Sequence, residues 1–344
     1  MCEFVVVEKN QEPLSKFYHL TLVFKMDDNY HCIATGTEIF SSSSRYIIED
    51  VIGKGAFALV ARCHKSDTKK AVAVKIMKNT HMQQALAEEA VLTELKAFDP
   101  DRFNFIRWET SFSFRDLLCQ EFELLDCSLR KFMMMRQPST LSLTEIRPIL
   151  QQLATALNVL KSLGISHTDL HPENIMLVNH VQLPLKVKII DFGLSGHTSQ
   201  LQQGTYKQPR WYRAPETILG LPCDEAIDMW SLGCIAYDIL SFVTQTHGQL
   251  PESTGCILNR KADLECFVAL VKQMLEVDSS KRIKPCQMLE HPFITLGHWR
   301  SLNSSNYVRS TDLGRRQGTP WTGHQNTFIY LLIIYPNTIH NIYK

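Results

Sequence analysis

The ten cysteines contain no C-x-x-C pair and fall at irregular spacings, and the N-terminus shows no signal-peptide pattern. Both absences argue against a disulfide framework and predict free thiols in a reducing compartment. Charge of one sign is missing as well. Lysine and arginine total 36 against 35 aspartate and glutamate, a net of +1, so no strong field directs the chain to nucleic acid or an anionic membrane. The late apolar run Phe328 to Tyr335 is far too short to cross a bilayer as a helix, and no internal repeat is evident. The expectation is a soluble intracellular protein of nucleus or cytoplasm, with no membrane and no direct nucleic-acid partner. What is present is globular: 344 residues, 44% hydrophobic and 21% charged, enough for one large domain or two ordinary ones.

The chain is organised around His167-Thr168-Asp169-Leu170-His171-Pro172-Glu173-Asn174, followed by Asp191-Phe192-Gly193. Ile175 to Val178 and Val187 to Ile190 read as short buried strands, and a hairpin of the two would bring Asn174 and Asp191 over one cation. Two hard oxygen ligands beside phosphates suit Mg²⁺, which takes few carboxylates and keeps several waters. Asp169 is then left to accept a proton from an alcohol. Each residue taken alone is also an ordinary turn former. The ordered set Asp, Asn, Asp-Phe-Gly is the protein-kinase catalytic signature.

Upstream, residues 1–40 carry no placed motif, although Phe4 to Val7 and His19 to Phe24 have strand-like texture, and Ser41 to Ser44 form a polar spacer. From Arg45 the pattern is strand, glycine-rich turn (Gly53-Lys54-Gly55-Ala56-Phe57-Ala58), strand, then a third strand Ala71 to Ile76 bearing Lys75. A dinucleotide-binding turn would need its glycines to open a helix in a βαβ unit. Here an apolar strand-like stretch follows, which fits a phosphate flap between strands. Ala58 takes the third glycine position and narrows the backbone freedom there.

Met82 to Lys96 reads as a helix with an apolar stripe of Leu86, Val91, Leu92 and Leu95, stopped by Asp99-Pro100. It carries Glu88 and Glu89, of which the spacing favours Glu88 as the anion that holds Lys75. Leu117 to Leu125 reads as a strand running into a connector. Ser142 to Glu145 is a capping box that opens a long helix to Leu163, closed by Gly164, with Ile146, Ile149, Leu150, Leu153, Leu157 and Leu160 on its core face. Ala226 to Leu240 is apolar nearly all round and reads as a buried helix. Its Asp228 needs partners, and loose amides of the catalytic loop would serve. Leu264 to Leu275 reads as a further amphipathic helix.

Gly53-x-Gly55, Val-Ala-Val-Lys75, His-Thr-Asp169, Asn174, Asp191-Phe-Gly, Ala214-Pro215-Glu216, Asp228-Met-Trp-Ser-Leu-Gly233 and Arg282 stand in protein-kinase order. Phe103 to Arg107, Arg147 to Gln152, Lys161 to Gly164, Gly220 to Pro222 and Thr205 to Glu216 resemble the homeodomain-interacting protein kinases. The dual-specificity tyrosine-regulated kinases share the last of these more loosely. The resemblance covers about residues 45–298, with 1–44 and 299–344 left unassigned.

The resemblance implies an α+β, bilobal fold, with a small, mostly antiparallel β lobe (about 45–125), a larger helical lobe (about 126–298), and ATP between them. It implies that Lys75, tied by Glu88, holds the α/β-phosphates under a flap of Ile52 to Ala58. Asp191 and Asn174 would hold Mg²⁺, and Asp169 would orient or deprotonate the substrate hydroxyl. Val60, Ala73, Met176 and Ile190 would line the adenine slot, with Phe122 as its back wall and Glu123 to Leu125 as the hinge; these positions read equally as plain core. Glu216 and Arg282 match a buried ion pair. Tyr206, with Arg210 and Arg213 after it, matches an activation-loop phosphorylation site. Implied partners are ATP and protein substrates, transcription regulators among them.

Three departures stand out. His171 replaces a lysine that reaches the transferred phosphate, and an imidazole is shorter and mostly neutral near pH 7. Ala58 replaces a glycine. Only about twenty residues separate the buried helix from the next at Leu264, where the family places a docking insert. Two functions therefore compete: an active serine/threonine kinase that phosphorylates its own Tyr206, and a nucleotide-binding pseudokinase that acts as a scaffold.

Overall fold

Alternating burial along three successive strands builds the first half of the molecule. In the computed structural model, which describes residues 33–55, 57–136, 141–200, 208–241 and 257–296, β1 (Glu38–Phe40), β2 (Arg45–Lys54), β3 (Ala58–Lys65) and β4 (Lys70–Lys78) run consecutively. The described residues up to Thr295 form one compact unit, and Leu296 alone is described beyond it. Side chains point to opposite faces of a strand with period two. Tyr46, Ile48, Leu59, Ala61, Cys63, Val74 and Ile76 therefore share one face and pack as a core, and Val60, Ala73 and Lys75 are left on the other. The sheet is six-stranded and antiparallel throughout, running from β1 through β2 and β3 to β4, with Leu117–Glu123 next and Trp108–Phe114 at the far edge. β1 lies before Arg45, in a stretch where no strand is expected from the residue pattern.

After β4 comes α1 (Met82–Leu95), which packs against that strand. Its buried stripe is Ala85, Glu88, Val91, Leu92 and Leu95, which corrects the expectation for Leu86: that side chain is 55% exposed. Burial follows i, i+3, i+6/7 and i+10 from Ala85, and Leu86 is rotated about 100° away. The buried stripe runs through a carboxylate, so apolarity alone could not mark it. The Asp99-Pro100 stop also starts something: Asp99 caps α2 (Pro100–Phe103), accepting from the amides of Asp101 and Arg102. Then β5 (Trp108–Phe114) and β6 (Leu117–Glu123) complete the sheet, and β7 (Cys127–Ser128) and α3 (Leu129–Met135) lead into the helical half.

α4 (Leu143–Ser162) is the axis of that half. Its capping box is formed, with the Ser142 amide donating to Glu145 Oε2 at 2.8 Å, and all six expected core residues are buried. Gly164, at φ +67°, ends it in a left-handed conformation that suits glycine. β8 (Ile165–Ser166) precedes the catalytic-loop sequence; β9 (Ile175–Asn179) and β10 (Leu183–Ile189) form the expected antiparallel hairpin. β11 (Gly196–His197) pairs with β8, and α5 (Pro215–Ile218) precedes α6 (Ala226–Ser241). α7 (Ile257–Met274) begins seven residues before the expected Leu264, because the run Asn259-Arg260-Lys261-Ala262-Asp263 separates Ile257 and Leu258 from the apolar pattern that follows. α8 (Pro285–Glu290) and α9 (Pro292–Thr295) close the described chain. Gly233 lets α6 and the end of α7 approach: a Cβ there would sit 2.8 Å from Leu275 Cδ2 and 3.0 Å from Met274 Cβ.

Among the described residues every cysteine is free, and no helix is long and apolar enough to cross a membrane. The strands expected at Phe4 to Val7 and His19 to Phe24, the flap residue Ala56, the loop residue Tyr206 and the apolar run at Phe328 lie outside the described residues.

Candidate active site

The sheet's register assembles one wall of a cleft. Val60 stands opposite Lys75, and Ala73 opposite Phe122, so the face left out of the small core carries these four side chains side by side. Ile52 joins them from β2 and Glu123, Leu124 and Leu125 from the connector after β6; Met176 and Ile190 close the cleft from the β9–β10 hairpin. The space enclosed is ≈ 140 Å³. Ile106 also lines it and was not anticipated. Its amide donates to the Ile189 carbonyl at 2.9 Å, which clamps this stretch to the end of β10. The only sequence signal was its place in Phe103 to Arg107.

The glycine-rich turn joins antiparallel β2 and β3, with Gly53 opposite Val60 and the Gly55 amide donating to the Ala58 carbonyl at 2.8 Å. This is a strand–turn–strand flap, and the dinucleotide alternative fails here. A Cβ at Gly53 or Gly55 would meet only ordinary contacts of 3.5 and 3.6 Å. The surrounding fold therefore does not demand glycine, which leaves close approach of a ligand as a reason for it. Gly53, Lys54, Gly55, Phe57 and Ala58 lie in this flap, with the Phe57 ring 5.1 Å from that of His81.

At the inner end of the cleft, Lys75 Nζ donates to both carboxylate oxygens of Glu88 at 2.8 Å and to Asp191 Oδ1 at 2.9 Å. Burial disfavours the Lys75 ammonium, but Glu88 and then Asp191 more than reverse this and raise its pKa, so it stays charged. Burial likewise pushes the Asp191 carboxyl up, yet the Lys75 charge and hydrogen bond outweigh it and hold it below the usual carboxylate range. Glu89, the other candidate, does not make this bond. Helix α1 is pinned to the Asp-Phe-Gly segment and beyond at two further points. Gln84 Nε2 donates to the Gly193 carbonyl at 3.3 Å, and His197 Nε2 lies 2.9 Å from Glu94 Oε1.

The catalytic loop is held by a buried carboxylate, as the sequence suggested. Asp228 accepts the amides of His167 (2.7 Å) and Thr168 (3.0 Å). Burial raises its pKa, partly offset by charge and by these same amides. Thr168 sits at φ +65°, and its hydroxyl donates to the Leu194 carbonyl. His167 takes the Asp169 amide on Nδ1 at 3.2 Å and lies 3.0 Å from the Ile190 carbonyl through Nε2, so Nε2 carries the proton. The loop and the Asp-Phe-Gly segment are thus built as one piece.

Asn174 Nδ2 donates to the carbonyl and to Oδ2 of Asp169 at 2.9 and 3.1 Å. With both amide protons committed, its Oδ1 remains as a hard acceptor. His171 Nε2 lies 3.7 Å from Asp169 Oδ2, and its Nδ1 accepts the Glu173 amide at 3.3 Å. The imidazole therefore faces the carboxylate and does not turn away from it.

Glu216 and Arg282 form the expected buried pair, bidentate at 2.6 and 2.9 Å. The guanidinium also lies 5.3 Å over the Trp230 ring. Arg210 is exposed at the start of a single 3₁₀ turn, while Arg213 donates to the Gln208 carbonyl from Nε and Nη2 at 3.2 and 2.8 Å. Gln208 was missed: buried and at φ +73°, its amide donates to Ser231 Oγ and the Ile227 carbonyl and accepts from Ala214 and Thr217. Nothing in local sequence marks a glutamine for such a role.

Comparison with known proteins follows the same lines. Residues 46–294 match the family model for the protein kinase domain. Homeodomain-interacting protein kinase 1 of Rattus norvegicus is 36% identical over 350 residues, covering 78% of this chain and 29% of that protein. Homeodomain-interacting protein kinase 1 of Caenorhabditis elegans is 42% identical over 353 residues, 77% of this chain and 42% of that protein. The dual specificity protein kinase YAK1 homolog of Arabidopsis thaliana is 41% identical over 218 residues, 61% of this chain and 23% of its own. The chain thus spans less than half the length of these three relatives. A crystal structure of a kinase domain superposes with a TM-score of 0.65 at 23% identity, covering 76% of this chain and 98% of that one, a likeness of fold.

Proposed function

This chain belongs to the protein kinase domain family, and we propose that it is an ATP-dependent serine/threonine kinase that also phosphorylates its own Tyr206. The observation that carries this reading is the single lysine bridging two carboxylates: Lys75 reaches Glu88 at 2.8 Å and Asp191 at 2.9 Å across the cleft. An ammonium held extended in this way is placed to grip the phosphates of ATP, and the apolar slot from Val60 to Met176 suits its base. We take the kinase domain as about 45–298, its lobes meeting near residue 125.

Protein kinases as a family use Mg²⁺ with ATP. The residues present fit that ion, since the Asp191 carboxylate and Asn174 Oδ1 are hard oxygen donors of the type Mg²⁺ prefers. When bound, the ion neutralises phosphate charge. Asp169, oriented by Asn174, accepts the proton of the attacking hydroxyl, and Lys75 holds the phosphates in line. Substrates are proteins; likeness to kinases named for interaction with homeodomain proteins extends the proposal to regulators of transcription, and we place its action in the nucleus or cytoplasm.

The second reading, a nucleotide-binding scaffold of little activity, is favoured by His171. Its ring faces Asp169 at 3.7 Å, so an imidazole stands where the family resemblance implies a lysine. Removing one such stabiliser typically costs about 2.7–4 kcal/mol, on the order of 10²–10³ in rate. Ala58 and the shortened stretch between α6 and α7 point the same way. Incubation of the purified chain with Mg²⁺ and labelled ATP separates the readings: phosphate on protein supports the first, binding without transfer the second.

A further inference from the structure

Outside the cleft, Asp126, Cys127 and His180 bring a carboxylate oxygen, a thiol sulfur and an imidazole nitrogen within 4.8 Å of one another. They come from two elements fixed by backbone pairing. Cys127 stands opposite Leu177 in the β7–β9 ladder, and the Asp126 amide donates to the Leu177 carbonyl at 3.0 Å. His180 follows the last residue of β9, in a turn that Asn179 holds by accepting the amides of Val181 and Gln182 at 3.0 and 2.8 Å. Asp126 Oδ2 accepts the His180 amide at 2.8 Å and is hydrogen-bonded to His180 Nδ1. The carboxylate and the imidazole are exposed, and the thiol is buried behind them.

We propose that these three side chains bind a zinc-class divalent cation, Zn²⁺ itself being the best match, with the solvent-facing fourth position open. A donor set of one sulfur, one nitrogen and one oxygen suits a borderline-soft ion, whereas Mg²⁺ and Ca²⁺ take oxygen ligands. Tetrahedral bonds of about 2.0–2.3 Å put ligand atoms roughly 3.4–3.7 Å apart. Closing the triad thus asks about an ångström of movement, and two of its members are exposed side chains able to supply it. On binding, the thiol proton leaves to solvent and the Nδ1 proton transfers through solvent to Nε2, so the ion replaces the proton shared by Asp126 and His180. The site is separate from Asn174 and Asp191, but it touches the cleft at two points. Leu125, one residue before Asp126, lines the cleft, as does Met176, which pairs with Ser128. A bound ion would staple the connector after β6 to β9.

The test uses the full chain, stripped of metal and titrated with Zn²⁺ alone by calorimetry, and with Co²⁺ alone by absorption. A Zn²⁺ site whose affinity falls at least about tenfold in His180→Gln is expected, since even an outer-sphere partner is worth 10–100-fold. The Co²⁺ form should show a thiolate charge-transfer band that persists in the exposed-site control Cys286→Ser and vanishes in Cys127→Ser. His180→Gln alters an exposed side chain, so its result stands even where Cys127→Ser folds poorly. Unchanged Zn²⁺ affinity and stoichiometry in His180→Gln, or survival of the band in Cys127→Ser, would overturn the site and leave Asp126–His180 an ordinary hydrogen-bonded pair.

Discussion

His171 Nε2 and Asp169 Oδ2 lie 3.7 Å apart, while the same oxygen accepts Asn174 Nδ2 at 3.1 Å. Two groups therefore compete for the carboxylate proposed as base. An imidazole reaches less far than a lysine side chain and supplies no fixed positive charge. Single-turnover phosphoryl transfer by the wild type should accordingly be slow but measurable. His171→Lys should speed it by on the order of 10–10³-fold with little change in ATP affinity. Equal rates from both forms would move the catalytic doubt to Ala58 or the stretch between α6 and α7.

Nucleotide binding is testable apart from chemistry. Mg²⁺-ATP should raise the melting temperature by mass action, by an amount that grows with ligand concentration above Kd. Asp191→Asn removes both a proposed ion ligand and a partner of Lys75, so it should shrink the shift. A melting curve unmoved by saturating Mg²⁺-ATP would remove the kinase and the scaffold readings together.

Arg282 is fully buried against Glu216. Removing one partner of such a pair strands the other charge, at a cost of about 3–5 kcal/mol. Arg282→Ala should lose about that much in denaturant unfolding. Replacing both partners with apolar residues should restore part of it, because the stranded carboxylate is then gone. A loss below about 1 kcal/mol would mean that the pair behaves like a surface one.

Tyr206 is expected to carry phosphate added in cis. A phosphate brings about −1.5 to −2 charge and three acceptors, and Arg213 already turns its guanidinium to the Gln208 carbonyl two residues on. Tyr206→Phe should lower activity towards a peptide, and phosphopeptide mapping of the wild type should find the modified residue. Full activity of the variant with no phosphate on the wild type contradicts the expectation.

Much of the site could be read in advance because its parts lie in short, ordered segments. Asn174 and Asp191 flank strands whose apolar runs announce a hairpin, Asp169 lies five residues before Asn174, and the isolated Asp228 in an apolar helix had to find donors. The capping box at Ser142 likewise fixed the start of α4 from four residues. What escaped depends on contacts between distant segments. Leu86 was assigned to the core because apolar periodicity overlooks a buried glutamate, and Glu88 is buried only because Lys75 meets it. Ile106 joins the cleft through a backbone bond to Ile189, and Gln208 gains its role from a left-handed backbone and five partners on other turns. Asp126, Cys127 and His180 are unremarkable one by one, and only the β7–β9 register brings them together.

The most direct test of the account is single-turnover incubation of the purified chain with Mg²⁺ and γ-labelled ATP, beside Asp169→Asn. The account predicts slow but measurable transfer of label to protein hydroxyls, Tyr206 among them, and loss of that transfer in Asp169→Asn with ATP binding retained. Binding of ATP with no label on the wild-type protein, or equal labelling in both forms, would contradict it.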